Sequence, residues 1–268
     1  MSRLTLVKDC LDSASLRALV SDEICALRIP EYCTHESRER LQRYINNSAL
    51  EDYQYVGGSQ GEVKRISFGI KRVGIPFNST YFSERGSDAR EKYYRNAQSG
   101  ICQLREACSP FLSPIDKLRL ELDEIWPLGA TLASFEGQKM FAGICRIMEP
   151  QDPPFPPSQP HFDALPSQVC TLSKQFSANI YIDVPDSGGE LELWNVPPIA
   201  GFEVSDVDVD VERRTSLPEP ITISPKARDL ILFNTRRPHA IRQFERGIRS
   251  SLQCFIGITS LGSIEVWS

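Results

Sequence analysis

The second half of the chain constrains the fold most. From Gly129 onward, short β-prone segments are separated by Pro, Gly and Asp, a texture that fits an all-β sandwich or barrel. The strands read from it are Thr131–Phe135, Phe141–Ile147, Phe176–Asp183, Leu191–Trp194, Ile221–Ile223, Leu230–Phe233, Ala240–Gln243, Ser250–Ile258 and Ile264–Trp267. From Asp12 to about Leu128 the pattern is mainly helical. Leu16, Leu19, Val20, Ile24 and Leu27 share one face of a helix. The clearest helix runs from Ser113 to Trp126: Ser113 caps it, Pro114 takes the first position, Asp116 sits in an acidic first turn, and Ile115, Leu118, Leu122 and Ile125 form its apolar stripe. Helices first and strands second predict an α+β chain whose helices buttress one face of a β-barrel. At 268 residues this is expected to be a single domain, residues 1–128 mainly helical and residues 129–268 the barrel.

Charge excludes some functions. With 30 Lys+Arg against 35 Asp+Glu, a formal charge of −5 and no massed basic patch, the chain is not a nucleic-acid binder. No apolar run reaches the ~18 residues of a membrane span and no cleavable leader is visible, so a cytoplasmic protein with no membrane partner is expected. The eight cysteines contain no C-x-x-C pair and read as buried free thiols. Two loops stand out. Pro150–Pro160 is proline-rich and stiff and delivers the chain to His161, whereas the acidic stretch Glu203–Glu212 reads as an exposed surface loop.

The chain has three histidines, His35, His161 and His239. In Pro160-His161-Phe162-Asp163, the two-residue spacing puts His161 and Asp163 on one face of an extended strand. His239 follows the strand ending at Phe233 and supplies a third corner. Two imidazoles and one carboxylate leave open positions on an octahedral ion, the arrangement suited to a catalytic iron(II). Ten residues past His239, Arg249 opens another strand, with Ser251 on the same face. A guanidinium and a hydroxyl so placed can clamp the far carboxylate of 2-oxoglutarate. Asn179 and Tyr181 alternate on one strand face and can reach the same co-substrate. For the substrate, Arg72 offers a cation to a carboxylate and Glu136 an anion to an amine.

His161-x-Asp163, His239 and Arg249-x-Ser251 resemble the metal and co-substrate motifs of the iron(II)/2-oxoglutarate-dependent dioxygenases, whose fold is a double-stranded β-helix, or jelly roll. Gln175 to Asp183 followed by Ser187-Gly188-Gly189-Glu190-Leu191 is similar to the prolyl-hydroxylase-type strand and turn. Gly188-Gly189 also reads independently as a turn that needs positive φ. The whole chain looks most like the freestanding small-molecule branch containing indole-alkaloid and free-lysine halogenases and their hydroxylase relatives. That likeness rests on Lys64-Arg65 through Arg72 to Asn78, on the Ser113-Pro114-Ile115-Asp116 helix start, on Ser187-Gly188-Gly189-Glu190-Leu191 and on Val266-Trp267-Ser268. In the halogenases the carboxylate ligand is replaced by Gly or Ala. The presence of Asp163 therefore implies a hydroxylase.

The resemblance implies hydroxylation of an unactivated C–H bond in a small molecule, a free amino acid or an amino-acid-derived metabolite, with 2-oxoglutarate and O2 converted to succinate and CO2. Desaturation or ring closure by the same chemistry, a protein or peptidyl-prolyl hydroxylase, and a degenerate jelly-roll binding module are the alternatives. The sequence leaves the oligomeric state open, a homodimer included.

Overall fold

The structure is a computed structural model describing residues 4–57, 64–81, 83–150, 160–199 and 213–268. Both loops singled out above, Glu203–Glu212 entirely and Pro150–Pro160 for all but its two ends, lie outside the described residues. The first half contains β1 (Thr5–Val7), α1 (Ser13–Val20), β2 (Ala26–Ile29), α2 (His35–Asn47), β3 (Glu51–Gly57), β4 (Lys64–Val73), a 3-10 turn (Phe77–Thr80), α3 (Asp88–Cys108) and α4 (Pro114–Ile125). The second contains β5 (Ala130–Leu132), β6 (Ser134–Phe135), β7 (Gln138–Lys139), β8 (Ile144–Met148), β9 (Leu172–Asp183) and β10 (Leu191–Leu193). After these come α5 (Arg213–Ser216), β11 (Ile221–Ile223), β12 (Leu230–Asn234), β13 (His239–Ile241), β14 (Arg249–Thr259) and β15 (Ile264–Trp267).

The major sheet runs β1-β2-β12-β9-β14-β8-β4-β3, with β15 also paired to β14 and to β5. A minor sheet, β11-β10-β13, lies against one face of it. Ala26, Tyr181, Ile231 and Phe233 of the major sheet pack there on Leu191, Leu193 and Ile223 of the minor one. The two sheets and their apolar filling fit a jelly-roll core. On β9 the alternation is strict: Phe176, Ala178 and Ile180 enter the core on the outer face, while Ser177, Asn179 and Tyr181 point between the sheets. A register shift opposite Ser250 and Ser251 then turns Asp183 outward. There its carboxylate accepts hydrogen bonds from Arg38 (3.1 Å), Gln42 (2.6 Å) and Ser250 (2.7 Å).

The outer face of the major sheet is covered by α1, α2 and α4, whose Leu16, Leu19, Leu41, Ile115, Leu118 and Leu122 join one core with Cys145, Ile147, Leu252, Cys254 and Ile256. Each fully buried leucine of this stripe contributes roughly 2 kcal/mol. Helix α4 forms as its sequence dictates. The Ser113 hydroxyl accepts from the Asp116 N–H (3.0 Å), Pro114 opens the first turn, and Trp126 ends the helix.

Two expectations are corrected. The first helix stops at Val20, because the chain turns through Asp22 at φ +62°; Ile24 lies in that turn and Leu27 on β2, although both stay buried. The first half also supplies strands that the sequence reading did not give it, since β2 pairs with β12 and β4 with β8, so that strands from before Gly129 complete the major sheet. All eight cysteines are free thiols as expected, but Cys10 and Cys102 are exposed and Cys170 is only half-buried.

Candidate active site

His161, Asp163 and His239 converge so that one ligand atom from each lies within 4.8 Å of the others. The two histidines are tied backbone to backbone. Each N–H donates to the other's carbonyl at 3.0 Å, and the ring centroids stand 4.4 Å apart. This single bridge is the extent of extended pairing at His161, for residues 162–166 have no regular secondary structure. Asp163 is placed by other means: its N–H donates to Thr235 O (2.9 Å), and its carbonyl accepts from Gln175 Nε2 (3.0 Å). Gln175 Oε1 in turn accepts from the Leu165 N–H (2.7 Å), so a buried glutamine on β9 clamps the segment carrying Asp163.

His239 is oriented by the loop before it. Its Nδ1 lies 3.1 Å from the carbonyl of Arg237, which can only accept, so Nδ1 carries the proton and Nε2 is the metal-facing atom. Nε2 stands 3.3 Å from Asp163 Oδ2. Arg237 is itself anchored, donating to Asp22 (3.1 Å) and to Asn195 (2.6 Å). Asp22 also accepts from Lys174 and from Asn234. Burial works against ionising Asp163. When the imidazoles are protonated, the His239 hydrogen bond and the charges of His239, His161 and Arg146 outweigh it and hold the carboxyl well below the usual carboxylate range.

The co-substrate residues lie on the same inner face. Arg249 is 6% exposed, and its Nε donates to the carbonyl of Gly189 (3.0 Å) and one terminal nitrogen to the Tyr181 hydroxyl (3.2 Å). Its Cζ stands 5.0 Å from the centre of the Tyr181 ring. Among the described residues no carboxylate pairs with it, and burial pushes its pKa down. Burial pushes the Tyr181 phenol up, keeping it neutral beside the guanidinium. The turn that supplies the carbonyl has φ +77° at Gly188 and +72° at Gly189, as the sequence predicts. Ser251 faces the same space, opposite Tyr181. Asn179 points there too, but donates to Ser177 (3.1 Å) rather than reaching Arg249.

The two expected substrate groups are placed otherwise. Glu136 sits with Gly137 in the β6–β7 turn, both at positive φ, and pairs with the buried Arg90 (3.2 Å), so it belongs to a hairpin and not to the site. Arg72 lies on the inner face, but its nitrogens are committed to Glu51 and to the carbonyls of Asp52 and Gly74. The cation that does approach the metal residues is Arg146, opposite both Ser251 and Arg72 in register. Its charge acts on Asp163 and on Arg249. The signal for it was present as a lone charge within the apolar run Ile144-Cys145-Arg146-Ile147-Met148.

The donor set fits a divalent iron: two imidazoles and a carboxylate on neighbouring backbone, leaving positions for a chelating ligand and a gas. The buried Arg249, with no carboxylate partner among the described residues, fits the anionic end of that ligand. Fold and site thus define a metal-dependent oxygenase. Residues 157–257, which contain the three metal-site residues and Arg249, match the family model of the 2OG-Fe(II) oxygenase superfamily. That segment is similar to the superfamily's, and with the metal site it makes the chain a 2-oxoglutarate-dependent dioxygenase that uses iron(II). It is 25% identical to the L-gamma-glutamyl-L-propargylglycine hydroxylase of Streptantibioticus cattleyicolor, with 77% of each chain covered. Its fold is similar to that of an N-substituted L-amino acid dioxygenase from Burkholderia ambifaria, with TM-score 0.61, 17% identity and coverage of 96% of this chain and 91% of that one. The same enzyme in complex with alpha-KG matches with TM-score 0.57 and 14% identity over the same shares. No helix among the described residues is long and apolar enough to cross a membrane.

Proposed function

We propose that the chain, acting as one domain over residues 1–268, hydroxylates an unactivated C–H bond of a free amino acid or an amino-acid-derived small molecule. His161, Asp163 and His239 hold the iron. Arg249, Tyr181 and Ser251 hold the far carboxylate of 2-oxoglutarate, with Asn179 on the adjoining rung. The observation that carries this reading is the buried Arg249 guanidinium, without a carboxylate partner among the described residues, on the same inner face as a two-histidine, one-carboxylate cluster. Two relatives named for work on amino-acid compounds support the substrate class.

When bound, the iron and 2-oxoglutarate supply an oxidant strong enough to attack a C–H bond. The chain's own residues bind and orient. The Arg237 carbonyl fixes the His239 tautomer, Gln175 fixes the Asp163 segment, and Gly189 and Tyr181 fix the Arg249 fork. Phe233, edge-on to the His239 ring at 5.0 Å, keeps the inner side of the site apolar. In the halogenases that the sequence resembles, Gly or Ala stands in place of this carboxylate, so the presence of Asp163 favours hydroxylation. Free thiols throughout are in keeping with a cytoplasmic setting.

Anaerobic titration with iron(II) and 2-oxoglutarate tests the reading. A weak visible metal-to-ligand band is expected, and its absence from protein shown to bind iron overturns the proposal. Succinate release across a panel of free and N-substituted amino acids then identifies the substrate. Chlorinated product in the presence of chloride would refute the role given to Asp163.

A further inference from the structure

We propose that Arg146, seated on the ring of Tyr53, binds the carboxylate of the substrate beside the metal site. The inference rests on the proposed amino-acid hydroxylase function and names the residue that makes it selective.

Three features carry it. Arg146 is on the inner face of β8, since its neighbours Cys145 and Ile147 are buried in the helix-covered core on the other side. Its guanidinium leans away from the co-substrate clamp. β8 lies between β14, which carries Arg249, and β4, and the Arg146 Cζ sits 4.6 Å from the centre of the Tyr53 ring on β3, one strand further from β14. The β3–β4 register breaks between Asp52 and Gln54, and such irregularities re-aim side chains. Tyr53 there is 5% exposed, and Asn78 Nδ2 donates to its hydroxyl at 3.4 Å.

The surroundings point to a ligand next to the iron. Arg146 acts electrostatically on Asp163, and the phenol of Tyr81 feels both Asp163 and Tyr53. The register sets Arg146 opposite Ser251 on the inner face, and these couplings fit Tyr53, Tyr81 and Arg146 edging the space beside the proposed metal residues, with Ile144 and Met148 flanking Arg146 on its own strand face. A planar guanidinium backed by an aromatic ring is pre-organised for two parallel hydrogen bonds to a carboxylate, the group every amino-acid substrate brings. Tyr53, Tyr81 and Arg146 all precede residues 157–257, the segment shared with the superfamily, where the metal and co-substrate residues lie. Substrate choice then resides in the part of the chain outside that segment.

The test uses full-length protein loaded with redox-inert zinc and saturated with 2-oxoglutarate, so that binding is read without turnover. The probes are free L-amino acids, γ-glutamyl dipeptides and N-acetyl amino acids, each paired with its carboxamide. At least one free acid is expected to bind saturably, and its amide roughly ten- to hundredfold more weakly. Arg146→Gln should bind acid and amide alike, and Arg146→Lys should recover part of the difference. Titration of the iron form should leave 2-oxoglutarate affinity within a few-fold of the parent in both variants, a smaller change than the lost acid selectivity because Arg249 still holds that carboxylate, which also shows that they fold. Saturable binding by no free acid, persistence of acid selectivity in Arg146→Gln, or an equal loss of 2-oxoglutarate affinity overturns the proposal. Failure of the visible band in the parent protein refutes the oxygenase function instead, so the two failures are distinct.

Discussion

His239 spends one ring nitrogen on the backbone so that the other can face a metal, and the cost of that arrangement is borne by residues that never approach the iron. Arg237 offers its carbonyl because its own side chain is pinned by Asp22 and Asn195. Asp22→Asn should therefore weaken iron binding about ten- to hundredfold, as losses behind a metal ligand do, measured by competition with a chromogenic chelator. The same carboxylate gives a pH signature. Burial raises the pKa of Asp22, but Lys174 and Arg237 more than offset it, so its folded pKa lies below the ordinary 3.8. Its stabilisation is fully present above that ordinary value and is lost as the pH falls through the folded one. Urea melts of the parent and Asp22→Asn should accordingly differ at neutral pH and converge in acid below about pH 4. At Arg249, replacement by Gln should cut 2-oxoglutarate affinity roughly ten- to hundredfold while leaving iron binding unchanged, read from the visible band and the chelator assay.

At the scale of elements, the parts that were legible in the sequence are those whose signals are local. Ser113 and Pro114 announce α4, and Ser113→Ala should cost about 1 kcal/mol in a denaturant melt. The strands after Gly129 follow from alternation and punctuation, and β11 and β15 have the bounds read from the residues. What was not legible depends on distant pairing. Leu27 continues the spacing of Leu16 and Leu19 as a helix would, and only its partner Leu232 on β12 makes it part of a strand. The site shows the same division. The residues proposed to hold the metal declare themselves by type and spacing, but Glu136 and Arg72 have partners, Arg90 and Glu51, that no spacing reveals. The Gly188-Gly189 turn was legible as a turn, though not as a support for Arg249. A Cβ at Gly188 would lie 2.4 Å from the Gln243 carbonyl. Gly188→Ala should therefore destabilise the fold by about 2 kcal/mol and raise the KM for 2-oxoglutarate along with it.

At the scale of the whole molecule, the superfamily segment is not self-sufficient. β2 closes one side of the major sheet on β12, and β4 extends the other from β8, so both long edges are covered by chain from before Gly129. A fragment of residues 129–268 exposes those edges and the apolar face under α1, α2 and α4. It should be insoluble or aggregate on refolding, which sedimentation or light scattering would detect. The paired backbone contact between His161 and His239 has a further use. Two amide hydrogens that close this part of the fold belong to residues proposed to grip the ion, so loading the metal should tighten that seam. Their deuterium uptake is thus an internal gauge of occupancy: slow in the loaded protein, faster after chelation, and readable by mass spectrometry before any substrate is known.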